Sequence, residues 1–287
     1  VAALAVRLLP LDASIRDHVL QSNPSGTMRR LDAAFNRDEE GHVSYLVTTD
    51  LEHLSFNSNE NFPGVTGLDA SLSWGTEGGW LALTQSDFKI DYDARLPQAL
   101  DVADLSGSLS WRQTGDETHE VRARTLKGVI EGVELILNGT LQLRAGTAHV
   151  IDVTADIVGA NAVRLHHLLP SGIIPKRGED WSRELFVEGR VTDGRVVVRG
   201  PLDRFPFDKA EGVIQVDFDV NNAIVKYSRR WPFATALDGR LKLRGRQVEF
   251  KIDRGFVSGA NIAGAKVTVP DLFTRKRFVR ISGTAHG

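Results

Sequence analysis

Cysteine is absent from this chain of 287 residues, and methionine occurs once. The first absence excludes disulfides and thiolate-held metals while remaining neutral about compartment. Aromatic residues make up only 7%, fewer than a sandwich packed with large inward rings would want. A surplus of one charge is missing too: 35 Lys+Arg stand against 37 Asp+Glu, interleaved along the chain. No basic surface therefore recommends nucleic acid as a partner. No apolar run is long enough to span a bilayer at the start, because Val1 to Leu9 is short, contains Arg7 and lacks an initiator Met. That opening reads as part of a longer protein. There is no Gly-x-Ser-x-Gly elbow, no phosphate-cradling Gly-Lys-Ser/Thr loop and no His-Glu-x-x-His. The expectation is a protein that is not an enzyme and uses no cofactor.

What the chain does have is alternation. Between Phe186 and Phe250 three two-residue turns are expected, at Asp193-Gly194, Asn221-Asn222 and Gly245-Arg246, each joining strands whose alternate residues are apolar. A turn at Asn221-Asn222 sets Val220 opposite Ala223, Phe218 opposite Val225 and Val216 opposite Tyr227, with Asp217 meeting Lys226 on the other face. A turn at Gly245-Arg246 sets Leu243 against Val248, Leu241 against Phe250 and, outside, Lys242 against Glu249. Around Asp193-Gly194, Val191 meets Val196. A slip of one residue would swap the faces, so the pattern fixes both register and the apolar side.

Three short helices interrupt the strands. The first is expected over 11–23, capped at Asp12 and stopped by Asn23-Pro24-Ser25-Gly26. The second covers 162–169 and is halted by Pro170; the third covers 179–185, with Trp181 and Leu185 on one side. Clear strands run from Leu68 to Trp74, Phe88 to Ala94, Leu105 to Trp111, Val133 to Leu143 and Val150 to Ile157. No polar linker marks a boundary, so residues 1–287 read as one continuous segment.

Roughly fifteen strands cannot lie in a flat open sheet, which seldom exceeds about ten without curling. The expected class is mainly β, a long and highly curved antiparallel sheet with a few short helices. Gly107, Gly139, Gly189 and Gly239 fall at inward phase, where missing side chains allow sharp bending. By the same phase Ile90, Tyr92, Leu109, Leu135 and Leu137 face inward, followed by Ile151, Val153, Val196 and Val198. Val216, Phe218, Val220, Leu241, Leu243, Phe250, Ile252, Val267 and Val269 complete the face. From periodicity alone these positions fit a closed core as well as an open apolar surface. Trp181 and Leu185 need an apolar partner and could cover it.

Candidate chemistry resolves into surface roles. His166-His167 are adjacent and on a helix would point apart, with no third ligand at metal spacing. Asp91 and Asp93 share a strand face, as do Asp217 and Asp219, but Lys89 and Lys226 on those faces fit a solvated surface better than an acid-base pair. Asn138-Gly139-Thr140 matches a glycosylation acceptor that is frequent by chance. The cluster Arg275-Lys276-Arg277 reads as a solvated turn.

Several stretches together carry a resemblance. They are Gly200-Pro201-Leu202-Asp203-Arg204-Phe205-Pro206-Phe207, Trp231-Pro232-Phe233, Leu237-Asp238-Gly239-Arg240-Leu241, Gly255-Phe256-Val257-Ser258-Gly259, Val269-Pro270-Asp271-Leu272 and Ile281-Ser282-Gly283-Thr284-Ala285-His286-Gly287. Upstream, Asn61-Phe62-Pro63-Gly64-Val65-Thr66-Gly67-Leu68 and Leu105-Ser106-Gly107-Ser108-Leu109-Ser110-Trp111 add to it. In their order and spacing they resemble the AsmA-like family, of the YhdP type of bridge-like lipid transfer protein. The resemblance implies a taco-like, repeating β-groove in the periplasm of Gram-negative bacteria, with an inner-membrane anchor outside this chain. It implies transport of phospholipid between inner and outer membrane in support of outer-membrane integrity. Its implied partners are phospholipid acyl chains, further β-groove segments of the same chain and membranes met through other regions; no catalytic residue or cofactor comes with it. The competing readings are a transmembrane barrel, and a structural, adhesive or carbohydrate-binding sheet with a filled interior and exposed Trp platforms at Trp74, Trp80, Trp111 or Trp231, although the phase of Trp74 and Trp111 matches the inner face.

Overall fold

The computed structural model describes residues 21–59, 63–92, 96, 98–115, 118–168, 176–228, 231–272, 274 and 278–284, with the backbone alone for 177 and 178. In chain order the strands are β1 (Ser25–Arg37), β2 (Val43–Phe56), β3 (Gly64–Gly75), β4 (Gly78–Asp91), β5 (Leu100–Gly115) and β6 (Thr118–Ile130). They continue with β7 (Val133–Arg144), β8 (Val150–Asn161), β9 (Phe186–Pro201), β10 (Val213–Val225) and β11 (Ala234–Arg244). The last are β12 (Gln247–Val257), β13 (Ala260–Asn261), β14 (Lys266–Val269) and β15 (Arg280–Ser282). All fifteen belong to one antiparallel sheet whose order follows the chain, except that β13 pairs only with β12. The order does not return from β15 to β1, so the sheet is not closed on itself. By internal contacts the chain divides into two compact units, Val1–Ile130 with Gln142–Ala145, and Glu131–Leu141 with Gly146–Gly287.

Helix is sparse. A 3-10 turn covers Ala162–Leu168 and an α-helix, α1, covers Lys176–Leu185, against expectations of 162–169 and 179–185. Most of the helix expected over 11–23 lies outside the described residues, and β1 begins at Ser25, inside its expected stop signal. The strand expected to reach Ala94 ends at Asp91.

One of the three expected turns forms. Gly245-Arg246 joins β11 to β12 with Leu243 against Val248, Leu241 against Phe250 and Lys242 against Glu249, as the alternation requires. Asp193-Gly194 and Asn221-Asn222 are not turns: β9 and β10 run straight through them. Val191 and Val196 therefore lie on one strand, and Val220 with Ala223, Phe218 with Val225, Val216 with Tyr227 and Asp217 with Lys226 are not cross-strand pairs. A two-residue type I′ turn needs positive φ at both central residues. Only Asp193 (φ 46) and Asn222 (φ 47) have it, and the register slips by a residue beside each. These are β-bulges, which bend a strand without reversing it.

The bulge recurs. His53 (φ 51), Gln85 (φ 50), Asp104 (φ 53), Thr125 (φ 47) and Ala236 (φ 49) each mark a similar slip in β2, β4, β5, β6 and β11. At each the buried face skips a step, as in Leu51 to Leu54, Leu83 to Ser86, Val102 to Leu105 and Val220 to Ala223. Neighbouring strands hold the exceptional backbone in place. The N–H of His53 donates to Asp69 Oδ1 at 2.7 Å, that of Asp104 to Asp87 Oδ1 at 2.7 Å and that of Asn222 to Asp238 Oδ1 at 2.7 Å, while Gln85 N–H reaches Ser106 Oγ at 3.2 Å. A left-handed backbone costs a non-glycine residue about 1 kcal/mol, and a charge-assisted hydrogen bond offsets that.

The cores sit at these bulges. In the first unit Leu68, Ala70, Leu83, Val102 and Leu105 are buried, with Leu54, Phe88, Ile90, Leu126 and Ile130 packed around them. In the second, Val191, Val220, Ala223 and Leu237 are at most 2% exposed. Each buried valine or leucine among them contributes roughly 1.5–3 kcal/mol on leaving water.

Candidate functional site

Strand pairing turns alternation into rows that run across strands. In the second unit Ala155, Val196, Val216, Leu243, Val248 and Val269 stand opposite one another in succession from β8 to β14. The adjacent row on the same face is Phe218, Leu241, Phe250, Val267 and Ile281. Gly194 extends it between Ile157 and Phe218, where an added Cβ would approach their Cβ atoms to 2.8 and 3.1 Å. A further row joins Val191, Val220, Gly239 and Ile252, and another joins Val153, Val198 and Ile214. Gly107 opposite Leu83 and Gly239 opposite Val220 occupy the inward phase expected of them.

The expected inward residues differ in how deeply they lie. Leu135, Phe218, Val220, Ile252 and Val269 are buried. Ile90, Tyr92, Leu109, Leu137, Ile151, Val153, Val196, Val198, Val216, Leu241, Leu243, Phe250 and Val267 are half-buried. Ile90 belongs to the margin of the first unit's core. Apart from Trp74, Trp111 and Leu109, whose phase is inward, periodicity missed much of that unit's face: Val47, Trp74, Gly79, Trp111 and Val121 form one row, and Thr49, Leu72, Leu81, Leu109 and Ala123 the next. Gly79 lies directly between the two indoles, its position touched by Trp111 and by Trp74 Cβ. The signal was present in Val47-Thr-Thr49-Asp-Leu51 and in Leu81-Ala-Leu83. Trp80, by contrast, sits on the polar face and is 44% exposed.

The opposite face is polar and, in the second unit, ion-paired. Arg195 meets Asp156 at 2.7 Å, Arg199 meets Asp152 at 2.9 Å, Arg240 reaches Asp219 at 3.0 Å and Lys266 meets Glu249 at 2.6 Å. Asp217, which also takes a hydrogen bond from Arg244, lies partly buried. Burial acts to raise its carboxyl, but the guanidiniums of Arg244 and Arg240 outweigh this and hold it below the usual carboxylate range. The Asn222 N–H, followed by Arg254 against the opposing effect of burial, does the same for Asp238. Asp217 and Asp219 thus serve as partners of the polar-face arginines. Lys226 faces Glu184 of α1 at 3.0 Å, not Asp217.

Around the helices the contacts are specific. Trp181 Nε1–H donates to the Tyr227 carbonyl at 3.3 Å, and the Lys226 N–H donates to the Leu185 carbonyl at 2.8 Å, so α1 is tied to the segment after β10. Both Trp181 and Leu185 are half-buried. His166 and His167 do not point apart: on a 3-10 turn their ring centroids are 4.1 Å from each other. His166 Nδ1 lies 2.7 Å from the Val163 carbonyl, and His167, its pKa lowered by burial and by His166, lies 3.8 Å from the buried Glu131. In the β1–β2 turn Asp38, Glu40 and His42 bring ligand-capable atoms within 4.8 Å of one another, a grouping the sequence reading passed over. Asp38 Oδ1 accepts the His42 N–H at 2.8 Å, which closes an exposed turn. Asp93 and Arg275-Lys276-Arg277 lie outside the described residues.

No helix among the described residues is long and apolar enough to cross a membrane. A family model described as YhdP protein matches residues 2–287. The chain is 20% identical over 276 residues to the intermembrane phospholipid transporter YhdP of Escherichia coli (strain K12), a match covering 96% of this chain and 21% of that protein. It thus spans about a fifth of that relative's length. No solved structure matches.

Proposed function

The chain belongs to the YhdP family, and on that footing we propose that its apolar rows receive phospholipid acyl chains and form part of a periplasmic conduit between inner and outer membrane. The observation that carries this reading is the continuity of the rows. In the second unit one row crosses β8, β9, β10, β11, β12 and β14 without a polar residue. Several of its members, Val196, Val216, Leu243 and Val248, are half-buried and retain accessible surface. A lipid chain lying along such a row passes from strand to strand over equivalent aliphatic contacts. Exposing an acyl chain to water costs about 0.8 kcal/mol per methylene, so a chain of ordinary length faces a barrier on the order of 10 kcal/mol in solution. A continuous apolar surface removes most of that barrier, and the uniformity of Val, Ile, Leu and Phe avoids a deep trap at any one position.

In this reading the repeated bulges curve the sheet into a taco-like groove, since bulges bend strands and curvature is introduced with them. Residues 1–287 then act as one continuous segment of it, joined by further segments of the same chain. Trp181 and Leu185 on α1 cover part of the groove. An anchor in the inner membrane and contacts with both membranes lie in regions outside this chain, and the transport supports outer-membrane integrity. The segment acts by binding and conduction, without catalysis or a cofactor.

The test is lipid occupancy. Phospholipid is expected in organic extracts of the purified chain, and a photocrosslinker at Val216 is expected to form lipid adducts. Adducts at Val216 but never at Trp181 would remove α1 from the conduit. Extracts without lipid, together with unchanged function when Leu241→Asp is introduced, would refute the conduit and favour a filled interior.

A further inference from the structure

Along residues 106–112 of β5 and 120–127 of β6 the polar face carries four cations and one carboxylate. Arg122 stands opposite Ser110, Arg124 opposite Ser108 and Lys127 opposite Ser106, and Arg112 stands opposite Glu120. Glu120 is the one carboxylate in the group, and it is shared: Arg112 Nη2 donates to its Oε1 at 3.2 Å and Arg122 Nη2 donates to the same oxygen at 3.0 Å. Arg124 and Lys127 have no ion-pair or hydrogen-bond partner among the described residues. In the second unit most arginines of the polar face are treated otherwise, Arg190 excepted. Arg195, Arg199, Arg240, Arg244, Arg246 and Arg254 each meet an aspartate.

The surplus is shaped. Ser110, Trp111, Arg112, Glu120, Arg122 and Arg124 line an open concavity. Glu120, only 12% exposed at its side chain, fixes two guanidiniums and leaves most of their N–H groups unused. The hydroxyls of Ser108 and Ser110 lie across from the arginines and supply further donors. Beside Ser110 in the same cross-strand row is Trp80, which offers exposed ring surface next to the cations. Guanidinium forks, hydroxyl donors and a net positive charge suit a tetrahedral oxyanion of charge near −2, and the ring suits the organic portion attached to it.

We propose that this patch is a binding site for a phosphate ester, on the face of the sheet opposite the apolar rows. The phosphate sits between Arg122 and Arg124 above Ser108 and Ser110, Arg112 supports it through Glu120, and Trp80 borders the ester's organic group. The ligand is distinct from an acyl chain held on the other face, so the site stands whether or not the apolar rows carry lipid.

Two arms test it with the purified chain. Calorimetric titration with glycerol phosphate reads a soluble ester, and flotation with phosphatidylglycerol vesicles reads the same chemistry in a lipid headgroup. Saturable binding that weakens with added salt is expected in at least one arm, and that arm identifies the source. Arg124→Glu changes an exposed side chain without partners and is expected to weaken binding at least tenfold, as is Arg122→Gln. Arg195→Gln, on the polar face of the second unit, is expected to leave it unchanged. Absence of binding in both arms, or equal binding by wild type and Arg124→Glu, overturns the proposal.

Discussion

The two compact units use the same alternation but finish their faces differently. In the second unit the apolar rows are almost wholly aliphatic, and most arginines of the polar face are ion-paired, as with Arg199 and Asp152. In the first unit the row through β3, β4 and β5 is Trp74, Gly79 and Trp111, and the matching row of the polar face is Thr48, Ser73, Trp80 and Ser110, ending at Arg122. Shared alternation therefore fixes which side is apolar and leaves the decoration of each face free. Two indoles can occupy a row only because a glycine separates them.

The largest test of this comparison is the floor they share. Val47 and Val191 are both 0% exposed, one in each unit. Aspartate at either position places an unpaired charge among apolar groups and is expected to cost about 4 kcal/mol or more. Chemical denaturation followed by far-UV circular dichroism should show the loss at both; tolerance at one would show that its unit has no sealed floor. Next in size is Gly79→Val. A Cβ there meets the Ser73 carbonyl oxygen at 2.6 Å and Trp74 Cβ at 2.8 Å, so about 2–3 kcal/mol should be lost, with altered near-UV signals from the displaced indoles.

The bulges come next. Asp238→Ala removes the acceptor of the Asn222 N–H and the partner of Arg254 at 2.7 Å, and about 1–2 kcal/mol is expected in urea melts. The matching change Asp87→Ala, at a more exposed carboxylate, should cost less. The same groups set a pH dependence. The folded-state pKa values of Asp217 and Asp238 lie below the ordinary aspartate value of 3.8, so their stabilisation is complete above that pH and is lost as pH falls through the folded values. Thermal melts between pH 6 and pH 2 should therefore decline only at the acidic end, and Asp238→Ala should flatten that decline. The smallest effect is expected from Arg199→Gln, below about 1 kcal/mol in low salt and undetectable in high salt. A larger loss would mean that the neutralised polar face is a structural requirement of the second unit.

Much of the architecture could be read from residue order. The Gly245-Arg246 turn was legible because a positive-φ glycine (φ 56) lies between strands whose paired residues match in kind. The apolar face of the second unit was legible for the same reason, since Val216, Phe218, Leu241 and Leu243 alternate without interruption. Asp193-Gly194 and Asn221-Asn222 misled because two polar residues between apolar ones fit two geometries equally well. In a hairpin the flanking residues face each other across strands; in a bulge they follow each other along one strand on the same face. Sequence alone does not separate these. What separates them is the neighbouring strand, such as Asp238 reaching the Asn222 N–H. The basic patch on β5 and β6 was hidden by composition, because a net charge near zero for the whole chain masks a local imbalance. The approach of His166 and His167 was hidden by assuming α-helical geometry where a 3-10 turn forms.

The bulges make each long strand behave like a reading frame. Side chains alternate strictly, and Val191 and Gly194 share a face only because Asp193 between them is counted out of step. Deleting Asp193 would therefore straighten β9 and leave its faces as they are. Deleting Arg195, just beyond the bulge, would invert every later position, bringing Arg199 into the apolar rows and turning Val196 and Val198 out to the aspartates of β8. A paired deletion on an adjacent strand would not repair this, since each strand keeps its own count. Insertions and deletions in this sheet should therefore be tolerated in the loops, singly at a bulge residue and, elsewhere within strands, only in steps of two.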